Sequence, residues 1–180
     1  MESNVWRCGP PRKDGRKQGF PSRFWDYFKR DYVPSGSSLL HLCSGAQLDG
    51  VTVDIDPTSP AQYHCDARHT PFSDNSFDVV FADPPYSVGY AGEWPAEYPR
   101  PSELLREMWR VCKPGGTIAF LHLLVVPAPA GYPMKREAIH AILCGPHNAM
   151  RALNVFIKPQ SNTIATDAEQ REALGGLAQE

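Results

Sequence analysis

The chain lacks any apolar run near the roughly 18 residues that a membrane-spanning helix needs. Its first residues are polar and rich in proline, glycine and arginine, with no apolar stretch of the kind that drives secretion. Membrane insertion and export are therefore not expected, and a cytoplasmic setting is. The five cysteines, Cys8, Cys43, Cys65, Cys112 and Cys144, are odd in number and irregularly spaced. No disulfide framework is legible in them, and reduced thiols are expected. His140, Cys144 and His147 have no fourth ligand at a zinc-site spacing, so no metal is expected. Cys43 has no evident paired base, which argues against a nucleophilic thiol. There is no internal repeat. The net charge of −2 excludes a polycation.

What charge there is lies unevenly. Arg7, Arg12, Lys13, Arg16, Lys17, Arg23, Lys29 and Arg30 crowd the first thirty residues, while Asp167, Glu169, Glu172 and Glu180 mark the tail. A basic arm can neutralise phosphates, and a solvated leader is the plainer alternative. Composition predicts disorder for residues 1–19 and a polar tail over 160–180, leaving 20–159 as the one folded domain.

Within that domain, Phe24, Tyr27 and Phe28 recur at helical spacing, predicting a helix from Pro21 to Val33. Short strands are predicted at Leu39–Cys43, Val51–Ile55, Ala61–Cys65 and Phe77–Ala82. Ser102 can cap a helix over Glu103–Cys112, followed by a central strand over Thr117–Val126. Ala138–Leu143 and Met150–Ile157 read as an antiparallel pair, with a helix over Lys135–Leu143 as the rival reading. The pattern predicts an α/β doubly wound sheet, mostly parallel with an antiparallel edge.

The densest chemistry is Asp83-Pro84-Pro85-Tyr86, directly after the strand at Phe77–Ala82. In open α/β sheets ligands bind beyond the carboxyl ends of the strands. Asp83 can accept a hydrogen bond from an exocyclic amino group, and the carbonyl of Pro84 a second. Two prolines stiffen the loop and donate no N–H, and Tyr86 can stack on a planar ring. The same four residues also read as an ordinary turn. Ser87–Pro101, with Tyr90, Trp94 and Tyr98, reads either as a lid that touches the acceptor or as a loop packed on its own domain.

Three other strand ends are polar. Ser44-Gly45 offers close backbone approach, Asp54 suits ribose hydroxyls, and Asp66 suits an adenine amino group. A ligand with a ribose, an adenine and a charged amino-acid end satisfies all three, and S-adenosylmethionine is such a ligand. A lone acid after a strand often only caps a turn; several in succession are harder to dismiss.

The ordered series Leu39–Gly45, Val53–Asp56, Cys65–Ala67 with Pro71-Phe72, Phe77–Tyr86 and Arg110–Gly116 resembles the class I S-adenosylmethionine-dependent methyltransferases. Its tetrapeptide is similar to that of amino-group methyltransferases, above all the DNA adenine-N6 enzymes. The resemblance covers residues 20–157 and implies a single Rossmann-like methyltransferase domain. It implies that Cys43, Ser44 and Gly45 line the methionine part of the cofactor, with Phe20 in the segment before them. Asp54 and Ile55 would then serve the ribose, Asp66 and Ala67 the adenine, and Asp83 would border both cofactor and acceptor. Asp83, Pro84, Pro85 and Tyr86 would be the catalytic set. The implied partner is nucleic acid, DNA first and RNA as the alternative. A small-molecule amine and a catalytically silent binding subunit stand as other readings. The chain departs from the pattern at His41, where the family has an acid, and at Cys43, Ala46 and Gln47, where it has more glycine. Residues 44–50 also leave little room for the usual first crossover helix.

Overall fold

The computed structural model describes residues 3–9, 20–87, 98–144 and 149–160. In chain order the elements are β1 (Val5–Cys8), α1 (Phe24–Tyr32), β2 (Leu39–Leu42), β3 (Val51–Asp54), β4 (Tyr63–His64), β5 (Phe77–Ala82), α2 (Pro101–Val111), β6 (Cys112–His122), β7 (Lys135–Cys144) and β8 (Ala149–Ile157). They make one eight-stranded sheet in the order β1-β7-β8-β6-β5-β2-β3-β4. Pairings are parallel except β6 with β8 and β7 with β8. The order reverses between β2 and β5, so the switch point of the sheet lies at the ends of those two strands.

Both faces of the central strands are buried, as a parallel sheet requires. On one face α1 sets Phe24 and Phe28 against Leu39, Val79, Phe81 and Leu121. On the other, α2 sets Leu104, Leu105, Met108 and Val111 against Leu40, Leu42, Val80 and Phe120. Each such side chain contributes about 1.5–3 kcal/mol on burial. The residues joining β2 to β3, β3 to β4 and β4 to β5 contain no helix. Side chains pin these connections instead. Glu107 of α2, 6% exposed, accepts from the Thr70 N–H (2.8 Å) and hydroxyl (2.6 Å). Arg110 ties Glu107 to the carbonyl of Phe72 and to Asp74. Lys158, also buried, donates to the carbonyls of Trp109 and Cys112 at the end of α2.

The tight first crossover is real. β2 and β3 are adjacent and parallel, with residues 43–50 as a loop between them. Left-handed backbone at Cys43 (φ 55°), Gly45 (φ 54°) and Gly50 (φ 78°) turns the chain sharply enough to return. At Gly50 a Cβ would stand 2.5 Å from the Leu39 carbonyl oxygen, so only glycine lets the loop pass that close to β2.

Several expectations need correcting. Residues 1–19 are not all a disordered leader: Val5–Cys8 pairs in parallel with β7, and the folded domain starts there rather than at residue 20. Trp6 and Cys8 alternate inward, with Trp6 stacked on His140 at 4.7 Å. Two inward side chains between arginine, glycine and proline are too short a signal to stand out. Residues 10–19, most of the basic run, lie outside the described residues. α2 starts at Pro101, not after a Ser102 cap; the Arg100 N–H is met by Glu103 at 3.0 Å, and proline suits the first helical position. β6 ends at His122 rather than Val126, because buried Asn154 captures Leu124 and Val126 from the side. The antiparallel pair stands as expected: residues 135–144 are strand, and the rival helix is excluded. The tail from 161 and the loop at 145–148, with His147, lie outside the described residues, as do Tyr90 and Trp94.

Candidate functional site

The ends of β2, β3, β4 and β5 converge around Cys43. Its thiol is pushed up by burial and, in decreasing order, by the charges of Asp54, Asp83 and Asp66. Such a thiol is a poor nucleophile. Four strand ends predicted separately from sequence are thus brought together in space.

Asp54 is 7% exposed and organises the loop after β2. Its Oδ2 accepts the Gly45 N–H at 2.7 Å and its Oδ1 the Asp56 N–H at 2.9 Å. Each carboxylate oxygen keeps capacity for a further donor. Ser44 is 2% exposed, its N–H bonds the Val53 carbonyl, and its hydroxyl has no partner among the described residues. Nearby on the α1 face, both ring nitrogens of His41 and the indole nitrogen of Trp25 are buried, likewise without partners among the described residues. Burial drives His41 down to about 3, so its ring is neutral. Phe20 lies in the same aromatic group, 5.7 Å from His41 and 5.8 Å from Phe81. Unmet buried polar atoms cost about 1–3 kcal/mol each. A polar ligand bound at this strand end would meet the Ser44 hydroxyl and the remaining acceptor capacity of Asp54, which is the fit an amino-acid and ribose-bearing cofactor requires.

Asp66 is held below the usual carboxylate range, chiefly by Arg68, whose Nε and Nη2 reach it at 3.0 and 2.7 Å. The sequence reading missed Arg68. Ile55 follows Asp54 and is partly exposed, while Ala67 is buried in the core on the α2 face, so backbone rather than side chain is what Ala67 can offer.

Beyond the end of β5 lies a second, different group. Burial pushes Asp83 up to about 6, with Arg151 and the Tyr86 hydroxyl pulling the other way. The Tyr86 hydroxyl donates to Asp83 Oδ1 at 2.5 Å. Arg151 of β8 stands 3.7 Å from Asp83 Oδ2 and 5.2 Å over the Tyr86 ring. His122, at the end of β6, meets the Tyr86 ring edge-on at 5.5 Å. Pro84 is buried and Pro85 partly so. Neither His122 nor Arg151 was foreseen. The rule that found Asp54 and Asp83, a polar residue ending an apolar strand, would have found His122 had the strand not been carried on to Val126. Arg151 sits inside an alternating strand and gives no such signal.

His140 takes no part in the site. Its Nδ1 accepts the Asn4 N–H at 3.3 Å and its Nε2 bonds the Tyr32 hydroxyl. It joins β1, β7 and α1. Among the described residues no helix is long and apolar enough to cross a membrane.

Comparison with known proteins bears on this geometry. Residues 44–120 match the family model described as a methyltransferase domain. The 27-O-demethylrifamycin SV methyltransferase of Amycolatopsis mediterranei (strain S699) is 33% identical over 89 residues, 49% of this chain and 29% of that protein. The chain therefore spans less than a third of the length of that curated relative. Among solved structures, the [4+2]-cyclase SpnF superposes with a TM-score of 0.57 at 16% identity, covering 86% of this chain and 88% of that one. A SAM-dependent methyltransferase from Aquifex aeolicus gives 0.52 at 13% identity over 77% and 93%. A cyclase and a methyltransferase thus share this chain's fold, so the fold alone does not name the reaction. The chain has an α/β Rossmann-like methyltransferase fold, its residues 44–120 match the methyltransferase-domain model, and the cofactor that this match implies is S-adenosylmethionine.

Proposed function

We propose that the chain transfers a methyl group from S-adenosylmethionine to an exocyclic amino group, with adenine N6 of DNA as the first candidate acceptor. The observation that carries this reading is Asp83. It is a partly buried carboxylate at the sheet's switch point, followed by two prolines and an aromatic ring that bonds it. On this reading Phe20, Cys43, Ser44 and Gly45 hold the methionine end, Asp54 and Ile55 the ribose, and Asp66 and Ala67 the adenine. When bound, the cofactor supplies an electrophilic methyl group on a sulfonium. The chain's own contribution is to place and prepare the amine. An aromatic amine is a poor nucleophile because its lone pair is delocalised into the ring. Asp83, as carboxylate, accepts an N–H and stabilises the positive charge that grows on nitrogen. Holding the amine in line adds a proximity effect. A carboxyl titrating near 6 is ionised at neutral pH and can also take the proton the nitrogen sheds. On duplex DNA the base would have to leave the stack to reach Tyr86.

A small-molecule acceptor is the second reading. It is favoured by the covering of Tyr86 by Arg151, which a stacking base would have to share. The name of the Amycolatopsis relative, an enzyme acting on a rifamycin, points the same way.

The test is transfer of labelled methyl to unmethylated duplex DNA, with RNA in parallel and Asp83→Ala as control. Label recovered in N6-methyladenine, lost in the variant, supports the first reading. Cofactor binding without label on either polymer supports a small-molecule acceptor. Absence of cofactor binding supports a silent binding subunit and removes both enzyme readings.

A further inference from the structure

A further inference concerns His122 and rests on the amine-acceptor reading. His122 closes β6 beside β5, whose last residue precedes Asp83, and it is 2% exposed. Its Nδ1 accepts the Leu124 N–H at 3.1 Å. That N–H is held firmly. Fully buried Asn154 donates from Nδ2 to the carbonyls of Leu124 (3.1 Å), Phe120 (3.3 Å) and Ala152 (3.3 Å), and its Oδ1 accepts the Val126 N–H at 3.0 Å. With Nδ1 committed as acceptor, a neutral ring carries its proton on Nε2. Burial favours that neutral ring.

Nε2 is buried and, among the described residues, has no hydrogen-bond partner. The Nδ1 bond to Leu124 accounts for one ring nitrogen only, and an unmet buried donor on the other destabilises. The donor has a definite place. The His122 ring stacks on Phe120 at 5.9 Å and meets the Tyr86 ring at 5.5 Å, and the Tyr86 hydroxyl donates to Asp83. One tyrosine thus contacts both the His122 ring and the Asp83 carboxylate.

We infer that His122 is a specificity-determining residue of the acceptor site: its Nε2–H donates to the unprotonated ring nitrogen next to the amino-bearing carbon, while Asp83 accepts from the amino group. A donor beside an acceptor complements an amino–imine edge, the N1/N6 edge of adenine. A phenol or alcohol acceptor presents no ring nitrogen there. A site built to bond a given group rejects the analogue lacking it far more strongly than an apolar pocket rejects an extra methylene.

The experiment uses single-stranded oligonucleotides carrying adenine, 1-deazaadenine or 7-deazaadenine at one position, with labelled S-adenosylmethionine. The wild-type chain should lose about 10- to 100-fold in kcat/KM on 1-deazaadenine and little on 7-deazaadenine. His122→Phe should lose a similar factor on adenine and no longer distinguish 1-deazaadenine. His122→Gln, which keeps a donor, should recover part of the loss. Thermal unfolding and S-adenosylmethionine binding confirm that the variants are folded, and His122→Gln decides the matter if His122→Phe is not. A wild-type chain that methylates adenine and 1-deazaadenine equally overturns the inference alone. The same holds for a His122→Phe variant that still discriminates. Failure to methylate any amine, with the cofactor bound, overturns the amine reading and the inference with it.

Discussion

Asp54 and Asp83 stand at the ends of β3 and β5, and their surroundings differ in kind. Asp54 is met by backbone N–H groups of Gly45 and Asp56, both close in sequence. Asp83 is met by side chains, Tyr86 and, from the far side of β6, Arg151 of β8. The first arrangement holds a loop in shape, and burial of the carboxylate is compensated locally. The second leaves a carboxyl pushed up to about 6, a compensated but expensive charge next to movable partners. On the proposed reading, the cofactor side is thus a matter of backbone geometry, and the acceptor side a matter of side-chain electrostatics. Groups that must change partners during a reaction are expected to be of the second kind.

That contrast can be broken in order of effect. Asp83→Ala should lower kcat for methyl transfer by about 10²–10³-fold or more while changing the Kd for S-adenosylmethionine little; a variant that keeps its rate would remove Asp83 from the chemistry. Asp83→Asn should lose activity yet gain stability. The folded-state value lies above the ordinary 3.8, so the native state favours the proton, and stability falls as pH rises from about 4 through 6. A neutral isostere avoids that loss, a gain of up to about 3 kcal/mol at pH 7, to be read from urea unfolding at pH 7 and pH 4. The gain should vanish at the lower pH.

On the cofactor side the sensitive position is backbone. Gly50→Ala should cost about 2–4 kcal/mol, because φ is +78° and the new Cβ meets the Leu39 carbonyl at 2.5 Å. Gly36→Ala, at φ +81° with nothing within 4 Å, should cost only about 1 kcal/mol. Equal losses by chemical denaturation would show that close approach to β2 is unimportant. Activity against pH is a finer probe. The rate should rise through about 6 and level off above it as Asp83 ionises, and Arg151→Gln should move that limb upward, since Arg151 favours the carboxylate. A limb that stays in place would mean that another group titrates. The smallest effect expected is from Arg68→Ala, a change of about two- to fivefold in cofactor Kd as Asp66 loses a partly exposed partner. It is measured by calorimetry.

Legibility followed the same divide. Asp54, Asp66 and Asp83 were readable because a polar residue ending an apolar run marks a strand end, and in this fold strand ends are where ligands bind. The antiparallel pair near the C-terminus was readable from alternation, though only the ladder between β7 and β8 excluded a helix. Trp6 and Cys8 were not, because a four-residue edge strand is stabilised by what it packs on rather than by its own pattern. His122 was hidden by an overlong strand whose true end depends on Asn154 reaching across from β8.

By itself, then, the sequence determined the order of strands and helices from α1 onward, the acids at their ends and the glycine-dependent turn after β2. These follow from local periodicity and backbone sterics, which act over a few residues. Tertiary structure alone decided which side chains face one another across the acceptor site. Tyr86, His122 and Arg151 come from three elements, and their meeting depends on sheet order, on register and on the burial that sets the charge of Asp83.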